Sequence, residues 1–184
     1  MISTNYSSST NNSGTQSLSS TNISGNNSRE PPDLDVPRVV INQASVELPF
    51  SPRIAYFAFG DFTRHSQWNP HVTSVEYVDA SRTEARWTMQ IFGMKFGWST
   101  IPVRKEPNKL IVWKSVKGLQ LQARAEFEPL SDGECRMLYT LSYEAPRKLK
   151  YQGDSKKESA QLRLMLETFR DVVAKDLQEN HATN

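Results

Sequence analysis

An α+β fold, in which a curved antiparallel sheet of about seven strands wraps a long C-terminal helix, follows from three features of the sequence. Short segments of alternating apolar and polar residues, separated by turn residues, recur from Val72 to Tyr143. A segment of helical periodicity closes the chain. Ahead of the alternating part stand one β-branched segment and two short helices, the first of them amphipathic.

Composition sets the frame for these elements. The chain has 184 residues, enough for one domain and a tail, and its 22 basic and 20 acidic residues leave a net charge of +2. So even a balance carries no footprint for nucleic acid. The single cysteine, Cys135, excludes an intramolecular disulfide framework and fits a reducing compartment. No run reaches the ~18 apolar residues that a membrane-spanning helix needs. Charge alone names no partner, and a transient membrane contact stays open.

Residues 1–28 contain ten Ser, four Thr and six Asn, too little apolar surface to offset the entropy of ordering them. This tail, with the proline linker "EPPDLDVP", makes 1–37 a disordered extension and 38–180 the folded domain. Before Glu30 the tail has no acidic residue, as in organellar transit peptides, but it lacks their arginines and their amphipathic pattern. A cytoplasmic location is expected, or a plastid or mitochondrial one if the tail does serve as a transit peptide.

"VVINQASVEL" has the β-branched content of a first strand. Ser51 and Pro52 then stand as N-cap and first helical residue, and Ile54, Ala55, Phe57, Ala58 and Phe62 form an apolar stripe behind them. "TRHSQW" allows one more short turn before "NP". In the strands that follow, Ala85, Trp87, Met89 and Ile91 share a face opposite Arg86, Thr88 and Gln90. Met94, Phe96 and Trp98 group in the next segment. Trp113 lies in the "KLIVWKS" strand after the Pro107-Asn108 turn, and the segment beyond sets Leu119, Leu121, Ala123, Ala125 and Phe127 against Gln120, Gln122, Arg124, Glu126 and Glu128. Cys135, Met137, Tyr139, Leu141 and Tyr143 repeat the pattern. The covering element is the final helix, with Ser155 and Glu158 in capping-box spacing and Leu162, Leu166, Phe169, Val173 and Leu177 on one stripe.

This order of elements, with the helix start at Pro49, Ser51, Pro52 and Ala55, the turn "WNP" at Trp68–Pro70, "KEPNKLIVWKS" and "YTLSYEAP", resembles the START-like superfamily, which includes polyketide cyclase/dehydrase and coenzyme Q-binding START-domain proteins. The resemblance covers Val39 to about Gln178. It implies a helix-grip fold with a hydrophobic cavity between sheet and C-terminal helix, taking a lipid, an isoprenoid quinone or a polyaromatic molecule. Residues expected to line the cavity are Trp87, Met89, Phe96, Trp98, Trp113, Phe127, Tyr139, Tyr143, Leu166 and Phe169, with Trp68 and His71 at its rim. The inward hydroxyls of Tyr139 and Tyr143 would face a ligand carbonyl.

Bond-making groups are not apparent. His65 and His71 are six residues apart across a turn with no clustered Cys, Asp or Glu, so no metal and no cofactor is expected. His65 reads as facing solvent on its turn, with Arg64 beside it as a candidate for an anionic headgroup. His71 reads as bonded within the loop. Cys135 reads as a small core residue, since Arg136 falls on the opposite face and no base adjoins it. No Gly-x-Ser-x-Gly elbow or phosphate loop occurs. Three functions therefore stand side by side: a carrier of a hydrophobic molecule, a polyketide cyclase/dehydratase-type enzyme using the same cavity, and a filled-core protein that binds another protein. The first two require the concave face to be incompletely filled.

Overall fold

The computed structural model describes residues 39–182, apart from Phe92, Asp132 and residues 145–154 and the side chains of Ile91 and Ser155. The N-terminal tail, its proline linker and the capping role of Ser155 fall outside the described residues.

Strand β1 (Val39–Leu48) is followed by helix α1 (Pro52–Gly60) and a 3-10 turn (Phe62–Gln67). Next come β2 (Val72–Tyr77), β3 (Ala85–Ile91), β4 (Met94–Glu106), β5 (Leu110–Lys117), β6 (Leu121–Pro129) and β7 (Cys135–Glu144), and α2 (Ser155–Ala182) closes the chain. All the strand pairs are antiparallel and the sheet runs β1-β7-β6-β5-β4-β3-β2, so the first strand joins the last and an otherwise simple meander fills the remainder. Alternation dictates this arrangement: in β6, Ala123, Ala125 and Phe127 are buried while Gln122 and Arg124 are exposed.

Strand β4 curves because its register with β5 shifts twice, between Ser99 and Thr100 and between Pro102 and Arg104. Pro102 has no N–H to give to a ladder, and it sits beside the second irregularity, where proline is tolerated. The bend gives the sheet its concave side. Across that side, α2 packs along β1 and buries Met165, Leu166, Phe169 and Val173.

Helix α1 begins as the sequence predicts, with the Ser51 side chain accepting a hydrogen bond from the Ile54 N–H. Its buried face differs from the expected stripe. Phe57 is 61% exposed, whereas Ala55 and Phe59 are fully buried, and Phe62 joins them from the 3-10 turn. Spacings of four and then three residues carry this face around the helix, and the extra turn rotates Phe57 into solvent.

Candidate functional site

Phe59 is the hub of the interior. Its ring lies 4.6 to 6.4 Å, centroid to centroid, from His65, Trp68, Trp113, Phe127, Tyr139 and Phe169. Three of these six contacts are edge-to-face, a geometry that aromatic quadrupoles favour. Neither Phe59 nor this role was foreseen from the sequence. The available signal was its position four residues after Ala55 and three before Phe62.

The concave face is filled where α1 and the 3-10 turn cover it. Trp68 is 1% exposed and Phe59, Leu166, Phe169 and Met137 are 0% exposed. The expected wide slot is therefore absent at the centre among the described residues, because Phe59, Phe62 and Trp68 from the covering segment occupy it. Open space lies elsewhere. A narrow crevice among Phe62, Tyr77, Ala85, Thr100 and Pro102 has no room for a ligand. A groove of about 400 Å³ runs outside the core, between β1 and α2, lined by Gln43, Ala44, Ser45, Leu138, Ser159, Ala160 and Arg163. Its mixed lining does not match an apolar ligand.

Toward the opposite end of the sheet the inner face loosens. Along β7, Tyr139 is buried while Leu141 and Tyr143 are half-buried; along β6, Ala123 is buried and Leu121 half-buried. Strand β4 shows the steepest change, from Trp98 at 8% to Phe96 at 44% and Met94 at 58% exposure. This end holds the β3–β4 turn, the β5–β6 turn and the start of α2, whose Glu158 accepts a hydrogen bond from the Tyr143 hydroxyl at 3.1 Å. The same carboxylate accepts from Asn42 Nδ2 on β1. Asn42 is 4% exposed and its Oδ1 has no partner among the described residues.

The predicted lining residues thus divide. Trp87, Trp98, Trp113, Phe127, Tyr139, Leu166 and Phe169 are buried together in the core, Met89 and Tyr143 are half-buried at its open end, and Phe96 is largely exposed. Met94, grouped with them by alternation, is exposed too. Of the two rim residues, His71 is exposed, its backbone N–H bonded to Asn69 Oδ1 at 3.1 Å. Trp68 is not at a rim; it stacks on Phe59 inside.

His65 also departs from expectation. It is buried, 4% exposed, because its Nε2–H donates to the Phe59 carbonyl at 2.8 Å and the ring packs on Phe59, Trp68 and Trp87. Burial lowers its pKa to about 4, against the raising effects of the Phe59 hydrogen bond and of Asp61. Its neighbour Arg64 is committed as well: it pairs with Asp176 of α2 at 2.5 Å, bonds Gln67 and lies over the Trp68 ring.

The remaining interior polar groups are sparse. Trp87 Nε1 donates to Thr100 Oγ1 at 2.8 Å, a buried pair that alternation alone did not reveal. Trp68 Nε1 is buried without an acceptor among the described residues. The Tyr139 hydroxyl has no hydrogen bond among the described residues, and burial pushes its pKa up. Burial likewise pushes the Cys135 thiol up to about 11. No cluster of three or more His, Cys, Asp or Glu suited to a metal occurs among the described residues, and none of their helices is long and apolar enough to cross a membrane.

A family model described as polyketide cyclase/dehydrase and lipid transport matches residues 48–172, from the last residue of β1 into α2. The chain belongs to this polyketide cyclase/dehydrase family. Its helix-grip, START-like architecture also aligns with a START superfamily protein from Mycobacterium smegmatis, at a TM-score of 0.62 and 19% identity over 73% of this chain and 97% of the other. A protein from Thermus thermophilus aligns at a TM-score of 0.61 with 18% identity, over 74% and 99% of the two chains. Zhui aromatase/cyclase from a Streptomyces species aligns at 0.53 with 12% identity, over 74% and 87%. At such identities the likeness establishes the fold. No curated protein matches the chain. Within the family frame, the segment filling the concave side, from Phe59 to Trp68, lies wholly inside the matched region.

Proposed function

We propose that this family member binds a hydrophobic small molecule carrying a carbonyl or similar acceptor, of isoprenoid, lipid or quinone type, on the concave side of its sheet and acts as its carrier. One observation carries the reading. The Trp68 indole N–H is a buried donor in an aromatic shell with no acceptor among the described residues, and the buried Tyr139 in the same shell carries a hydroxyl that bonds none of them. An unmatched buried donor costs on the order of 1 to 3 kcal/mol, which a ligand acceptor removes. The half-buried Met89, Leu121, Leu141 and Tyr143 form the approach, and Phe59 is the side chain that must yield for a ligand to reach both donors. The family description, which joins lipid transport to cyclase and dehydrase activity, supports the class of ligand.

A carrier role fits the interior chemistry better than an enzymatic one. A base held near 4 at His65 and a thiol held near 11 at Cys135 are both poorly matched to proton transfer at neutral pH. Mass spectrometry of organic extracts from gently purified protein tests the proposal. A stoichiometric apolar molecule supports the carrier, a cyclised or dehydrated product replaces it with the cyclase/dehydratase reading, and an empty extract together with no uptake of added quinones or lipids overturns both.

A further inference from the structure

The β3–β4 hairpin extends past its neighbours. Strand β2 pairs with β3 only as far as Met89, and β5 pairs with β4 only from Ser99 onward. Gly118 of the β5–β6 turn braces the hairpin near Gly97: a Cβ there would stand 2.5 Å from the Gly97 carbonyl oxygen. Beyond this brace a two-stranded finger projects, turning at Gly93 with a φ of +78°. From Trp98 to Met94 it rises about 13 Å at 3.3 Å per residue.

Its two faces differ in character. Cross-strand pairs on the inner face are Trp87 with Trp98 and Met89 with Phe96, and Met94 lies on the same face; on the outer face they are Arg86 with Ser99, Thr88 with Gly97 and Gln90 with Lys95. An apolar ladder therefore runs unbroken from the stacked core tryptophans, 5.8 Å apart, to the exposed tip. The finger itself, from Trp87 to Trp98, carries no acidic residue, and Lys95 is its one cation. Near the finger's base, Lys117 on β5 is 76% exposed and pairs with Glu84 at 3.8 Å, and the exposed Lys156 and Lys157 stand in the first turn of α2.

We propose that this finger docks the protein on an anionic lipid bilayer, with Met94 and Phe96 entering the headgroup and acyl boundary and Lys95 reaching back to the lipid phosphates. Exposed apolar side chains beside cations are the pattern of interfacial binding, and the finger's length suits the 5 to 10 Å depth of that zone. The ladder of apolar pairs then forms a continuous path between bilayer and interior. A protein or second-copy partner would be matched less well by a tip so narrow.

Vesicle flotation with the full chain tests this, using phosphatidylcholine vesicles with and without phosphatidylglycerol. The wild-type protein is expected to float with the anionic vesicles and to lose binding as salt rises. The Met94→Ser/Phe96→Ser variant should bind about tenfold less. Lys95→Gln should bind several-fold less, with weaker salt dependence. Both variants should melt as the wild type does, since the substituted side chains are exposed. The proposal is overturned if the wild type fails to float, if the double variant floats undiminished, or if the wild type is a dimer that the double variant converts to monomer, which would make a second copy the occupant. Attachment is read without any bound ligand, so this outcome stands apart from the carrier reading.

Discussion

The imidazole Nε2 of His65 donates to the carbonyl oxygen of Phe59, 2.8 Å away, inside the aromatic core. That bond closes the end of α1 onto the 3-10 turn and holds in place the two segments that fill the concave face. The bond by itself favours a charged ring, but desolvation outweighs it and keeps the imidazole neutral.

Stability should therefore depend on pH through His65. The unfolded chain takes up its proton near the ordinary value of 6.5, the folded chain only near 4. Between those values the unfolded state holds more protons, so stability is complete above about 6.5 and declines as pH falls toward 4, by roughly 3 kcal/mol in total. Denaturant melts of wild type and His65→Gln across this window measure it. The variant should be less stable at pH 7 and show a flatter pH profile; parallel profiles would refute the assignment.

Replacing Tyr139 by Phe separates folding from binding. Its hydroxyl is bonded to no described residue, so the free protein should be unchanged or up to about 1 kcal/mol more stable. Affinity for a carbonyl-bearing ligand should fall roughly fivefold, the worth of one hydrogen bond. Thermal melts and a fluorescence titration read the two effects, and a large loss of stability with unchanged affinity would reverse the interpretation.

Cys135 should resist thiol reagents. It is 0% exposed and burial raises its pKa to about 11, so thiolate is scarce at neutral pH. Labelling with a chromogenic disulfide should proceed only on unfolding, with a rate that rises with denaturant; rapid native-state labelling would show the β7 end of the core to be open.

Gly118→Ala should destabilise by more than about 1 kcal/mol. The residue has a φ of +79°, and an added Cβ would meet the Gly97 oxygen at 2.5 Å and Trp98 Cα at 3.0 Å. Gly133→Ala is the control: its φ is +87° but a Cβ there meets nothing within 4 Å. Equal costs from the two substitutions would mean that the contact between the β5–β6 turn and the hairpin contributes little.

Several features of the site were legible in the residues alone. Strict alternation in "LQLQARAEFEPL" placed Ala123, Ala125 and Phe127 on the buried face, and the stripe through Leu166, Phe169 and Val173 identified the side of α2 that meets the sheet. Other features were not. Alternation also groups Met94 and Phe96 with Trp98, but β4 outruns its neighbours and nothing in the sequence marks where they stop. His65 sits among polar residues in "TRHSQ" and reads as exposed; its burial depends on how the end of α1 folds Phe59 back onto it and on Trp87 from β3.

By itself the sequence determined the order of the elements, the inward face of each central strand and the family, because periodicity and turn chemistry act over a few residues and survive in any context. Only the tertiary structure decided what occupies the concave side. Whether a space is filled depends on the lengths and docking angles of several elements at once, and here the α1 segment delivers Phe59, Phe62 and Trp68 into it while leaving the β3–β4 end uncovered.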